Sequence, residues 1–306
     1  MGRQRKGRVV DGIVLLNKPK GISSNQALQQ VKRLYQAQKA GHTGSLDPMA
    51  TGVLPLCLGE ATKFSQYLLN ADKAYRATIK LGQHTTSGDA EGEVMSDVDA
   101  SSVTREAFLA VMDHFRGAIQ QVPPMFSALK VNGQPLYKLA REGIEIEREA
   151  RTVTIYSIEL LNFRPGCYPE ADISVECSKG TYIRSIAIDI GNLLGVGGHL
   201  VSLDRFRVGQ FTEEESYSLE ELQAKDGDNS LDALLIPPSE AVNHLPLVEV
   251  TDDTGYYLRL GQAVLVPKAP VSGLVRVFEE SGRFLGIGEV TDDGRIAPRR
   301  LIAKPS

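Results

Sequence analysis

The segment GHTGSLDPMATGVL (41–54) constrains this chain more than any other. Glycines at 41, 44 and 52, with Pro48 directly after Asp47, oppose a continuous helix or strand. Glycine admits backbone angles that other residues avoid, and the residue before a proline is pushed out of the helical region. The pattern places Asp47 in a sharply shaped loop, anchored by the apolar Leu46, Met49, Val53 and Leu54. A carboxylate held this way suits a reactive group. The competing reading of the loop alone is an Asp-Pro turn whose side chain bonds its own backbone.

At 306 residues the chain exceeds the usual size of one compact core, so two domains are expected. Its 42% hydrophobic content supports a large core, and no 18-residue apolar run suggests a membrane span. The basic opening MGRQRKGRVVDG lacks the apolar core of a secretion signal. Cys57, Cys167 and Cys177 form neither a paired framework nor a close metal-binding cluster, and the five histidines (42, 84, 114, 199 and 244) lack metal-ligand spacing. The plain reading is a reducing cytoplasm and no structural metal. The net charge of −4 hides an asymmetry: residues 1–80 hold 13 Lys/Arg against 4 Asp/Glu, a net of +9, and the remainder is −13. Such a split points to polyanion binding by one part, the part that holds Asp47, although two ordinary solvated surfaces give the same count.

Residues 12–16 form a buried strand by pattern, ended by a turn over Asn17–Gly21. Ser23 or Ser24 caps a helix over about 25–37, whose stripe of Ala27, Leu28, Val31, Leu34 and Tyr35 is core. Ala61–Leu69 is helical and Ala74–Leu81 alternates as a strand. His84–Val94 is a Gly-rich acidic loop without the lysine and spacing of a phosphate-binding loop. A helix over 104–116 starts at Thr104, Pro123 and Pro124 break the chain, and Leu136–Glu142 is a short helix. Strands follow at 151–163 and 171–177, then a helix at Ile183–Leu194. Residues 213–240, with nine acids and one lysine, read as a solvated face turned from any polyanion, with a short helix near 218–224. From about 247, LVEV, AVLVP, GLVRVFE and FLGIGEV are short strands separated by turns, the pattern of a small β-barrel or sandwich. The mixed order implies an α+β fold, with domains at 1–246 and 247–306.

Four segments in order resemble the TruB family, the enzymes that make pseudouridine-55 in the T loop of tRNA. GIVLLNKPKGISSN (12–25) is similar to the family's first motif and GHTGSLDPMATGVL to its catalytic-aspartate motif. KAYRATIKLG (73–82) matches its tyrosine segment and KGTYIRSIAIDIG (179–191) its arginine segment, and the likeness runs through VPPMFSALK (122–130) to the tail. The resemblance implies a mixed, mostly antiparallel sheet with the cleft across one face, and a PUA-like RNA-binding module at the C-terminus.

The resemblance also assigns roles. Pseudouridine formation breaks the bond from ribose to base nitrogen, turns the base and rejoins it through carbon five. No cofactor, redox change or external energy source is required. A carboxylate suits the task as nucleophile or base, and Asp47 is the only acid in the matched motif. Attack on the sugar, attack on the base and removal of a sugar proton stay open. An aspartate in a water-poor pocket needs a cation to stay ionised, and Arg184 is the partner the pattern offers in place of a strand-end arginine bonding carbonyls. Tyr75 matches the tyrosine that stacks on the base, where a half-buried strand tyrosine is the plainer fate. Leu203 in HLVSLDR matches a pocket-lining apolar residue. The target uridine must leave its stack, and His42 is placed to fill the vacated region. Lys18, Lys20 and Lys63 are expected phosphate contacts, and Tyr182 a pocket wall. The implied partner is the tRNA T stem-loop, bound by a monomer with no membrane or obligatory protein partner. A non-catalytic RNA-binding or tRNA-folding protein on the same scaffold is the second reading. An Asp/His hydrolase using His42 and Asp47 is a distant third, since no nucleophile-elbow motif supports it.

Overall fold

Alternation along the central strands builds the frame. In Lys73–Leu81, residues Tyr75, Ala77, Ile79 and Leu81 are buried while Arg76 is exposed and Thr78 and Lys80 half-buried; in Glu170–Cys177 the buried set is Ala171, Ile173, Val175 and Cys177. This two-residue period makes one face apolar and leaves the other to water. The computed structural model describes residues 7–131, 133–225 and 230–303. The basic residues 1–6, Asp226 and Asp228 of the acidic segment, and 304–306 of the tail lie outside the described residues.

A nine-stranded sheet dominates. Its path runs Gly12–Lys18, Thr51–Leu58, Gly198–Val208, Lys73–Leu81, Glu170–Cys177, Arg151–Arg164 and Gly117–Gln121, with Ala40–His42 added to Thr51–Leu58 and Phe211–Thr212 to Gly198–Val208. Every pairing is antiparallel except that of Thr51–Leu58 with Gly198–Val208. The fold is thus the mixed, mostly antiparallel α+β type expected.

Two helices matter for the site. Ser24–Leu34 starts from a capping box in which Ser23 and Gln26 satisfy each other's backbone N–H groups. Ile183–Leu193 is buried over Ile183, Ile186, Ala187 and Ile190, and its start is fixed from outside: the Gln121 side chain accepts from Tyr182 N–H at 2.7 Å and donates to Tyr182 O at 3.0 Å.

A second, five-stranded sheet is ordered Leu247–Val250, Gly273–Glu279, Phe284–Val290, Arg295–Leu301 and Val264–Leu265. It is seamed to the first. Ile287 shares a core with Ile13, Val53 and Phe64, and the rings of Phe64 and Phe284 lie 5.4 Å apart.

Several expectations are corrected. The strand expected at 12–16 continues through Asn17 and Lys18, so the turn begins later. The ends of the 84–94 loop are strands, Gln83–Thr85 paired with Val94–Asp97. The acidic 213–240 stretch is not simply a solvated face: Leu219, Leu222 and Leu231 enter the main core, and Tyr217 and Ile236 bridge to Leu16 and Ile13. The strand Gly198–Val208, the helix Asp252–Arg259 and the strand Arg295–Leu301 are additions to the sequence reading.

Candidate active site

The loop at 43–50 leaves the sheet after His42 and re-enters it at Thr51. Gly44 and Gly52 take φ of +99° and +103°, the region that disfavours a side chain. Ser24, at the start of its helix, donates to Leu46 O at 3.0 Å and accepts from Leu46 N–H at 2.7 Å. Gly21 N–H bonds Pro48 O at 2.7 Å, and Leu46 and Met49 are buried. Both flanks of Asp47 are therefore fixed before any substrate arrives.

Arg184 meets the carboxylate. From the first turn of its helix its Nε lies 3.0 Å from Asp47 Oδ2, and its side chain is 5% exposed. The same guanidinium donates to Ser87 O at 2.9 Å and Phe126 O at 2.6 Å, and stands 3.7 Å from Asp89 Oδ2. Asp89 is buried and accepts from Ser87 Oγ and Glu91 N–H. One cation thus serves two carboxylates. The Asp47 side chain keeps 38% of its surface, yet the protein crowded around it raises its pKa above the ordinary aspartate value. Arg184 opposes that rise and the Asp89 charge adds to it.

Tyr75 is buried in its strand, 9% exposed, and burial pushes its phenol upward. Directly across the ladder from it lies Arg205, 1% exposed; Leu203, two residues earlier, is a buried member of the main core. Tyr182 is half-buried at the start of the Arg184 helix, its phenol raised by burial and opposed by a bond to Ser127. His42 closes the neighbouring strand. Its Nδ1 is buried without a hydrogen-bond partner among the described residues, and burial, aided by the Arg205 charge, keeps its imidazole below the usual pKa.

The lysines divide. Lys18 is fully buried and its ammonium donates to Pro19 O and Ile22 O, each at 2.8 Å, and more weakly to Pro48 O. Burial lowers its pKa to about 8. It braces the Asp47 loop and has no surface for a phosphate, which corrects the expectation. Lys63 is likewise committed, to Glu60 at 2.6 Å and Leu301 O at 2.9 Å. Lys20 is exposed beside the loop and open to solvent. Sequence reasoning overlooked Asp89 and Arg205. Asp89 was hidden in a loop set aside for lacking a phosphate-binding pattern, although three acids among glycines were its signal. Arg205 betrayed itself only as a charge sharing the buried face of its strand with Leu200, Leu203 and Val208.

Three family models tile the chain: TruB family pseudouridylate synthase (N terminal domain) over residues 32–183, tRNA pseudouridylate synthase B C-terminal domain over 184–243, and Pseudouridine synthase II TruB, C-terminal, over 246–302. The tRNA pseudouridine synthase B of Saccharophagus degradans is 51% identical over 99% of both chains. The chain belongs to the TruB family. Its members include the Pseudomonas aeruginosa tRNA pseudouridine synthase B, 53% identical over 98% of both chains. Among solved structures, a chain of a Cbf5-Nop10-Gar1 complex is 28% identical with a TM-score of 0.71, covering 97% of this chain and 85% of that one. A chain of an H/ACA RNP bound to a substrate RNA containing 2′-deoxyuridine shares the fold, with a TM-score of 0.73 at 24% identity, over 99% of this chain and 92% of that one. TruB enzymes are isomerases.

Proposed function

We propose that this TruB-family chain isomerises the uridine at position 55 of the tRNA T loop, with Asp47 as the essential carboxylate. The observation that carries the assignment is the 3.0 Å pair between Asp47 and the buried Arg184, in a loop braced by Ser24, Gly21 and Lys18. The reaction breaks the bond from ribose carbon one to base nitrogen one, forms a bond from the same sugar carbon to base carbon five, gives the carbon-five proton to solvent and places a proton on nitrogen one. Atoms balance without a cofactor. Arg184 favours the charged form of Asp47 against the burial that raises its pKa. Tyr75 offers its ring to the unstacked base, a contribution of about 1–3 kcal/mol. Leu203 and Tyr182 wall the pocket, and His42 fills the space the uridine leaves. Lys20 is the phosphate contact the geometry leaves available.

We assign residues 1–246 to catalysis and 247–306 to an RNA-binding module that extends the footprint on tRNA. The reading is of a monomer with no obligatory protein partner. Free thiols at Cys57, Cys167 and Cys177 suit a reducing cytoplasm, and no helix among the described residues is long and apolar enough to cross a membrane.

Tritium release from tRNA labelled at carbon five of its uridines tests the reading. Wild type releases label from the T-loop site, and Asp47→Asn binds the tRNA but releases none, because the substitution removes the charge with little change of shape. Normal release by Asp47→Asn sinks the assignment. Failure of folded, tRNA-bound wild type to release label favours a binding or folding protein instead.

A further inference from the structure

Arg205 is the largest fully buried side chain among the described residues, and none of their ion pairs includes it. A buried guanidinium without a carboxylate is costly unless its donors are used. Here they are used on the reactive loop. Nε donates to Val53 O at 2.9 Å and Nη2 to Gly44 O at 3.2 Å, two carbonyls on either side of Asp47. The topology explains why. On this edge the Thr51–Leu58 strand has ladder partners only at its ends, Leu56–Leu58 with Ala40–His42 and Thr51–Gly52 with Asp204–Arg205. Between them Thr43 N–H bonds Pro55 O and the Arg205 guanidinium bonds Val53 O. Gly52 lets the strand seat there, since a Cβ on it would lie 2.3 Å from Arg205 O.

The third neighbour is Tyr75, opposite Arg205 in the antiparallel ladder, so the two side chains lie on one face within reach of each other and the guanidinium charge bears on the phenol. A guanidinium donates and never accepts, so in a bond between the two the Tyr75 oxygen is the acceptor. Resting on the assignment of Asp47 and Tyr75 above, we propose that Arg205 is a positioning residue for the isomerisation: it holds Tyr75 where its side chain meets the bound base while bonding carbonyls on both sides of Asp47. The planar fork is what bonds two carbonyls at once while facing Tyr75, a task for which a lysine ammonium is poorly shaped. The same charge helps hold His42 neutral.

The test compares Arg205→Met, Arg205→Lys, Tyr75→Phe and the Arg205→Met/Tyr75→Phe double variant, each checked for folding by circular dichroism and thermal melting. Tyrosines carry carbon-13 at Cζ, and the Tyr75 resonance is assigned by its loss in Tyr75→Phe. Arg205→Met moves that resonance, and Arg205→Lys moves it less. Single-turnover tritium release by Arg205→Met falls about 100-fold while T stem-loop affinity stays within about threefold, the signature of misplacement and not lost binding. Arg205→Lys retains more activity than Arg205→Met. Tyr75→Phe costs much less in the Arg205→Met background than in wild type. An unmoved resonance, or losses that simply multiply in the double variant, overturns the proposal. A wild type that releases no tritium sinks the catalytic assignment instead, and the resonance then still decides whether Arg205 holds Tyr75.

Discussion

At the scale of the residue, the site is a contest over one charge. Crowding raises the pKa of Asp47, the Asp89 charge pushes the same way, and Arg184 resists both. In the proposed role Asp47 reacts as the carboxylate, so turnover falls as the pH drops through its folded pKa, which lies above the ordinary aspartate value. Asp89→Asn removes one raising influence, and the acid limb of the kcat profile moves to lower pH. It also removes a carboxylate that stands 3.7 Å from the same Nε that meets Asp47, so the plateau drops about tenfold as the cation loosens. Tritium release measured from about pH 5 to 8 separates the two effects. A limb that moves upward, or a lower plateau with an unmoved limb, removes Asp89 from the electrostatics of the site.

At the scale of the element, the helix that carries Arg184 depends on how closely its far end meets the sheet. A Cβ on Gly191 would lie 2.2 Å from the backbone of Gly197 and Gly198, where the Gly198–Val208 strand begins. Gly191→Ala therefore sets two magnitudes against each other. Helix propensity favours alanine by about 1 kcal/mol, whereas overpacking costs about 1–3 kcal/mol, and backbone atoms cannot swing aside as a side chain would. Sterics win: thermal melting shows a loss of stability, and tritium release falls because Arg184 is displaced from Asp47. A stabilised variant shows that the helix end has room. These elements also mark what was legible in advance. The Asp47 loop, the Tyr75 strand and the Arg184 helix follow local rules of glycine, alternation and period, and all three were read. HLVSLDRFRV was not read as a strand, because Arg205 interrupts its core face and bulges lie between Leu200 and Ser202 and between Arg205 and Arg207. The helix Asp252–Arg259 had its signal in Thr251 and two first-turn acids, but Gly255 argued against it. That glycine answers a tertiary need, since a Cβ there would press on Glu279. Lys18 was misjudged for a similar reason. A lysine defaults to solvent, and its three carbonyl acceptors, one of them Pro48 O, gather only once the chain is folded.

At the scale of the whole molecule, the same distinction decides which lysines face RNA. Basic residues are concentrated in the first 80, yet several of those cations are spent inside the protein. Lys63 joins Glu60 to Leu301 O, and Glu60 accepts in turn from Ala303 N–H at 2.6 Å, so the lysine holds the two sheets together beside Phe64 and Phe284. Removing it as Lys63→Met lowers stability by about 1 kcal/mol through the lost bonds. Because its ammonium is already neutralised, few counterions are displaced from RNA on its account, and the salt dependence of tRNA binding stays as in wild type. Lys20 is different: exposed and next to the Asp47 loop, it reaches an RNA backbone without breaking a contact of the fold. Lys20→Met lowers the slope of log K against log salt by about one and leaves the melting temperature unchanged. Filter binding of tRNA over a salt series, set beside thermal melts of both variants, reads the two behaviours together. If Lys63→Met flattens the slope and Lys20→Met does not, the RNA crosses the seam between the sheets, and the exposed rim at Lys20 is not on its path.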